Sequence, residues 1–365
     1  MALFLAGVYL HRLTRDLSWP RWIRWVVLFC LYVGIYRPHI FYTLNYCTYS
    51  SCALIVTTVL CRMCLGACVL KREKFVCFAC LFYMGFTRET TLWFFVPLIP
   101  LLFVLWRSFG RKAMGSIALL VTATAVPIGT LNFYHWYTLG TPVISLGQGH
   151  ALSGAFQYFS EIDPNIVKET CFREILPNGG RLDWWTDCVQ KMYHGVSGKM
   201  ASDPAFREQL RYPENALNAA KAKIGKQIER DFFRVALTHP LVLLKTFQLQ
   251  RMCTVLAEHD LAFGFLFKGF PAVCFFLGAL LSIMGALWAL RGLPSFFRKK
   301  SPLDNRELVA FCVFLHILGF NAANSIIVPS MNYLLHAAIL SGFLGWWAIA
   351  SYTKVYKERK GSPAG

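Results

Sequence analysis

The residues best suited to chemistry lie in Gly85-Phe86-Thr87-Arg88-Glu89-Thr90, where a charged pair separates two apolar runs. Desolvating such a pair is costly, so charges at a membrane edge read by default as functional. Arg88 can hold a phosphate, because a guanidinium matches two phosphate oxygens at once. The alternative is that Arg88 and Glu89 neutralise each other in a turn between helices. A second stretch, Tyr36-Arg37-Pro38-His39-Ile40-Phe41-Tyr42-Thr43-Leu44-Asn45-Tyr46, mixes rings with hydrogen-bonding groups. His39, Tyr42 and Asn45 suit a sugar, whose apolar face stacks on rings while its hydroxyls seek polar partners. The same mixture suits an interfacial aromatic belt without a ligand.

Other candidates are weaker. Cys61-x2-Cys64 and Cys77-x2-Cys80 have zinc-like spacing. Each pair lies in an apolar run, however, and zinc thiolates need deprotonated sulfur and a polar surround. These cysteines therefore read as small hydrophobes, and no metal is expected. Cys171 and Cys188 lie in a long polar stretch and can pair in an oxidising compartment. In the same stretch Glu161, Asp163, Asp183 and Asp187 are acid–base candidates or merely solvated carboxylates. Tyr134 to His150 is rich in glycine and aromatic residues but lacks phosphate-loop spacing. The residues alone designate no catalytic group.

The elements that must position these groups follow from composition and charge. Of 365 residues 56% are hydrophobic and only 15% charged, well below the quarter or so expected of a soluble domain. Mean hydropathy is +0.45. Apolar segments fall at Ala2–Leu10 (a partial span), Trp22–Tyr36, Phe41–Leu70, Phe75–Phe86, Thr91–Trp106 and Met114–Phe133. Three more follow at Phe263–Leu290, Leu308–Phe320 and Tyr333–Ser351. The sequence thus predicts an all-α fold, a polytopic transmembrane bundle of about nine spans.

Basic clusters at Arg12–Arg24, Lys71–Lys74, Arg107–Lys112, Arg291–Arg306 and Lys354–Lys360 occupy every second connection. By the positive-inside rule these connections are cytoplasmic. Arg37–Asn45, Arg88 and the 134–260 stretch then share the exoplasmic face. Most of the net charge of +18 falls on the short cytoplasmic connections, which marks orientation and anionic-lipid contact rather than a nucleic-acid surface.

The expected organisation is N-terminal spans over 1–133, an exoplasmic helical loop over 134–260, C-terminal spans over 261–351 and a cytoplasmic tail over 352–365. Within the loop, helices are expected at Pro204–Leu210 and Ala216–Ala236. Ile224, Ile228 and Phe232 form a stripe on the second that something must cover. Leu241–Leu256 reads as an interfacial helix.

Taken in order, four stretches resemble the GT-C membrane glycosyltransferases, in the subgroup of lipid-linked-sugar mannosyl- and arabinosyltransferases. They are Lys71–Lys74 followed by Gly85-Phe86-Thr87-Arg88-Glu89, then Tyr137-Thr138-Leu139-Gly140-Thr141-Pro142-Val143-Ile144-Ser145-Leu146-Gly147, then Phe233-Arg234-Val235-Ala236-Leu237-Thr238-His239-Pro240, and last Ile327-Val328-Pro329-Ser330-Met331-Asn332-Tyr333. The resemblance implies transfer of a sugar from a polyprenyl-phosphate donor to a glycan or lipid acceptor outside. Arg88 would hold the donor phosphate beside Glu89, and His39, Tyr42 and Asn45 would line the sugar site.

By the family pattern, the first span and its acidic catalytic loop are missing ahead of Ala2–Leu10, and Met331-Asn332-Tyr333 replaces an Arg-Tyr. A truncated or inactive enzyme is therefore part of the expectation. The alternative is a non-catalytic scaffold in envelope glycoconjugate assembly; a transporter ranks below both. Expected partners are membrane lipids, the lipid-linked sugar and the acceptor, without nucleic acid, divalent metal or other cofactor. The expected location is a bacterial inner membrane with the 134–260 loop outside.

Overall fold

In a computed structural model the described residues are 2–35, 44–87, 94–147, 149, 152, 156, 163, 165–166, 170, 185–246, 271–294, 305–327 and 331–361. Among them every regular element is a helix. The chain runs through α1 (Ala2–Asp16), α2 (Arg21–Ile35), α3 (Leu44–Cys64), α4 (Lys71–Thr87), α5 (Ile99–Phe109) and α6 (Arg111–Leu139). It continues through α7 (Trp185–Ser202), α8 (Pro204–Glu208), α9 (Ala216–Thr238), α10 (Pro240–Thr246), α11 (Pro271–Ala289), α12 (Asn305–Ile327) and α13 (Met331–Gly361). The all-α expectation holds for these residues.

Local chemistry ends the helices. After α1, Ser18 takes a left-handed φ of 59°. Its N–H donates to Arg15 O, and that of Trp19 donates to Thr14 O, which satisfies carbonyls the helix leaves open. Gly66, at φ 72°, does the same after α3, with Gly66 N–H on Met63 O and Ala67 N–H on Arg62 O. The apolar run that predicts a span to Leu70 therefore stops as helix at Cys64. Apolarity does not stop a helix; a glycine that tolerates positive φ does. Conversely α1 runs past Leu10 to Asp16, and α6 extends beyond Met114–Phe133 at both ends, because helices do not end where apolarity does.

The chain divides into two compact units, one of residues 1–124, 254–321 and 330–365, the other of 125–253 and 322–329. The division falls inside α6. In the first unit α3 packs against α1, α4, α5 and α13, and α13 packs on α11 and α2. Ala53, Leu54, Ile55, Val56, Val59 and Leu60 are all buried, as expected of a helix apolar on every side. Thr57 and Thr58 are buried with them, their hydroxyls donating to Ala53 O at 2.9 Å and Leu54 O at 2.6 Å. Cys61, Cys64 and Cys77 are buried in the same core as apolar side chains.

Helices α11 and α13 approach through small residues. A Cβ on Gly285 would lie 2.7 Å from Gly345 N, and one on Gly345 would lie 2.5 Å from Leu281 O. Ser341 Oγ bonds Ser282 Oγ at 2.9 Å along the same seam.

In the second unit α7 packs on α9. The stripe of Ile224, Ile228 and Phe232 is covered by Leu152, Phe156, Ile166 and Tyr193. Tyr193 Oη lies 2.8 Å from Leu146 O and 3.0 Å from Lys221 O, sharing one proton between two carbonyls. Burial raises the phenol pKa, keeping it a donor. Helix α8 starts on a capping Asp203, whose carboxylate accepts Ala205 N–H at 3.1 Å, followed by Pro204. It ends at Glu208, and α9 extends to Thr238.

Among the described residues one helix, α6, is long and apolar enough to cross a bilayer. Three shorter apolar segments are Thr48–Cys64, Val96–Phe109 and Leu280–Gly292. Of the nine or so expected spans, one is supported among the described residues, and a bundle of nine is not.

Candidate functional site

Helices α3 and α4 are joined by the short turn through Gly66 and pack along each other, so they form an antiparallel hairpin. The start of α3 and the end of α4 consequently lie at one end of the hairpin. Asn45 is in the first turn of α3, and Thr87 closes α4 with its hydroxyl on Tyr83 O at 3.0 Å. Arg88 and Glu89 follow Thr87 in sequence but lie outside the described residues, as do His39 and Tyr42; Asn45 is described in its backbone alone. The hairpin therefore brings together the chain positions that lead into both proposed binding segments.

Of the loop carboxylates, Asp163 is half-buried and accepts Asn165 N–H at 2.9 Å, a local turn. Glu161 and Asp183 lie outside the described residues, as does Cys171; Asp187 and Cys188 are described only as part of α7. His135 Nδ1 lies 2.6 Å from Val143 O and ties α6 to the segment that follows it.

The opposite end of the hairpin carries the most organised polar cluster among the described residues. Arg62, in the last turn of α3, is 4% exposed. Its Nε reaches Asp16 Oδ2 at 2.5 Å, its Nη1 reaches Glu73 Oε1 at 2.7 Å, and its Nη2 faces Cys68 O at 3.4 Å. Arg12 also pairs with Glu73 Oε1. The other oxygen of Glu73 accepts Leu70 N–H at 2.8 Å, capping the start of α4.

Two guanidinium groups and two carboxylates thus meet, with all three nitrogens of Arg62 and both oxygens of Glu73 engaged, which is the condition for a buried ion pair to be tolerated. Burial pushes the Glu73 pKa up, but the Leu70 amide and the Arg62 and Arg12 guanidinium groups outweigh it and hold the carboxyl below its ordinary value. This cluster ties α1, α3 and α4 together. Its aligned pairs leave no obvious reactive group, so it reads as an anchor.

Sequence reasoning did not single it out. The signal was present: Asp16 and Glu73 are the lone carboxylates of their basic clusters, and Arg62 is a lone charge in an apolar run. Their convergence needed the α3 turn at Gly66.

No protein-family model, no curated protein and no solved structure matches this chain.

Proposed function

We propose that the chain is a polytopic membrane protein of GT-C type that transfers a sugar from a polyprenyl-phosphate donor to an exoplasmic glycan or lipid acceptor. The membrane reading rests above all on α6. Its 18-residue apolar window has a mean hydropathy of 1.7 and is only 22% buried. A core helix of a water-soluble protein hides its apolar side chains, whereas Met114, Leu119, Val121, Val126 and Phe133 of α6 are exposed. At about 1.5 Å per residue the 29 residues extend some 43 Å, ample for a hydrocarbon core of about 30 Å. The close glycine seam of α11 and α13 favours the same reading, since small residues supply the packing between helices in lipid. Shorter helices such as α4 would then be shielded by their neighbours in the bundle.

In this reading Arg88 binds the donor phosphate at the exoplasmic edge, Glu89 accompanies it, and His39, Tyr42 and Asn45 line the sugar site. The hairpin geometry supports a shared site, because Asn45 and Thr87 lie at one end of it. Two measurements test the proposal. In sealed right-side-out vesicles Cys68, an exposed cysteine on the α3–α4 turn, should react with an impermeant maleimide only after permeabilisation. Labelling of intact vesicles that disappears in Cys68→Ser refutes the topology. In membranes supplied with a defined lipid-linked sugar, Arg88→Ala should abolish transfer. Transfer at the wild-type rate by the variant refutes the site.

A further inference from the structure

Beside the ion cluster, but separate from it, a pocket of about 190 Å³ opens between the α3–α4 turn, α5 and the start of α6. Its apolar lining includes Met63, Leu105 and Phe109, and its polar lining is Lys74, Lys112 and Ser116. Lys74 Nζ donates to Ser116 Oγ at 3.3 Å. Among the described residues no carboxylate lines the pocket, and neither lysine makes an ion pair. The nearest acid in sequence, Glu73, has both oxygens committed to Arg62, Arg12 and the Leu70 amide.

We infer that this pocket binds a phosphate monoester or diester, held by the Lys74 and Lys112 ammonium groups and the Ser116 hydroxyl, with its carbon substituent against Met63, Leu105 and Phe109. Size is compatible with a small phosphate ester. A water occupies about 30 Å³ in the liquid, so the pocket has room for about six waters. That is enough for a phosphate with a glycerol-sized substituent.

Charge decides the sign. Lysine is a point-charge phosphate binder, and the two ammonium groups line one pocket without a carboxylate partner among the described residues. The mixed lining suits either a phosphoglycerol headgroup of a membrane lipid or a free glycerol-sized phosphate. Only the placement of the pocket on the cytoplasmic face rests on the topology proposed above; the contacts that would bind phosphate do not.

The test uses the full chain purified in a neutral detergent. Binding of glycerol 3-phosphate is measured by titration calorimetry, and retention of phosphatidylglycerol against phosphatidylcholine by mass spectrometry of the intact protein. The variant Lys74→Gln/Lys112→Gln should weaken binding about 25-fold, since each lysine near a phosphate contributes on the order of a fivefold effect. Lys74→Arg/Lys112→Arg should retain most of it. Lys71→Gln/Arg72→Gln, which removes the same charge from exposed positions one turn away, should leave it unchanged. Preference for phosphatidylglycerol with no response to glycerol 3-phosphate assigns the lipid as the source; the reverse assigns a soluble phosphate. Equal losses in the two glutamine variants, or no loss in either, overturn the inference. Should the first variant fail to fold, Ser116→Phe fills the pocket with both lysines intact, and undiminished binding by it overturns the inference equally. None of these readings depends on whether Arg88 serves sugar transfer.

Discussion

Arg62 Nη1 donates to Glu73 Oε1 at 2.7 Å, with both side chains almost wholly shielded from water. The pair joins the last turn of α3 to the first turn of α4, so the α3–α4 hairpin is held closed at its turn end by a buried charge contact. Arg12 and Asp16 bring the end of α1 to the same point.

Breaking this contact from one side leaves the other charge buried and unpaired. Glu73→Ala should therefore destabilise the first unit by about 3–5 kcal/mol. Replacing both residues, as in Arg62→Met/Glu73→Met, should cost less than the two single changes combined. Thermal unfolding in detergent, followed by helical circular dichroism, checks the difference. Additive losses would show that the residues are not coupled.

The same carboxyl sets an acid limit. Its pKa in the folded protein is depressed below the ordinary 4.5. The stability it contributes is present in full above pH 4.5 and is lost as pH falls from there through the folded value. The melting temperature should drop below pH 4.5, and the drop should be smaller in Glu73→Gln. An identical acid profile in the variant would remove Glu73 from the account.

Ser18 occupies a backbone region that costs an L-residue about 1–2 kcal/mol and glycine almost nothing. It is exposed, so its side chain packs against little. Ser18→Gly should raise stability by up to about 1 kcal/mol, the gain being reduced by glycine's greater freedom in the unfolded chain. A lowered melting temperature would contradict this.

The seam of α11 and α13 should tolerate no added carbon. The new methyl of Gly345→Ala would press on Leu281 O and Leu281 Cβ, the latter at 2.9 Å. Overpacking of this kind costs about 1–3 kcal/mol. Faster amide exchange across 280–290 and 337–350 than in wild type is the expected readout; unchanged exchange would show that the helices separate without cost.

Tyr193→Phe removes the proton shared by Leu146 O and Lys221 O and leaves the ring in place. A loss of about 1–2 kcal/mol is expected, confined to the second unit. Exchange protection of α7 and α9 should fall while that of α3 stays the same.

Much of this was legible in the sequence. Helix formation follows from apolar runs and from the Ala, Lys, Glu and Arg of α9. The covering of Ile224, Ile228 and Phe232 follows from their spacing, because an apolar stripe is unstable in water whatever covers it. The burial of Cys61, Cys64 and Cys77 follows from their apolar surroundings. Where helices end was less legible: α3 stops at Cys64, just before Gly66, inside an apolar run, and Ser18 turns the chain without a glycine to announce it.

The sequence by itself determined that the chain is helical, strongly apolar and basic in alternate connections, because these are sums and periods over many residues. It also singled out Arg88 and the His39–Asn45 segment as candidates for ligand binding. Only the tertiary structure decided that Asp16, Arg62 and Glu73 meet, that Asn45 and Thr87 share one end of a hairpin, and that Lys74 and Lys112 open on one pocket. These are juxtapositions of residues that are not neighbours in sequence. They depend on where two turns point, and no local property of either partner encodes that.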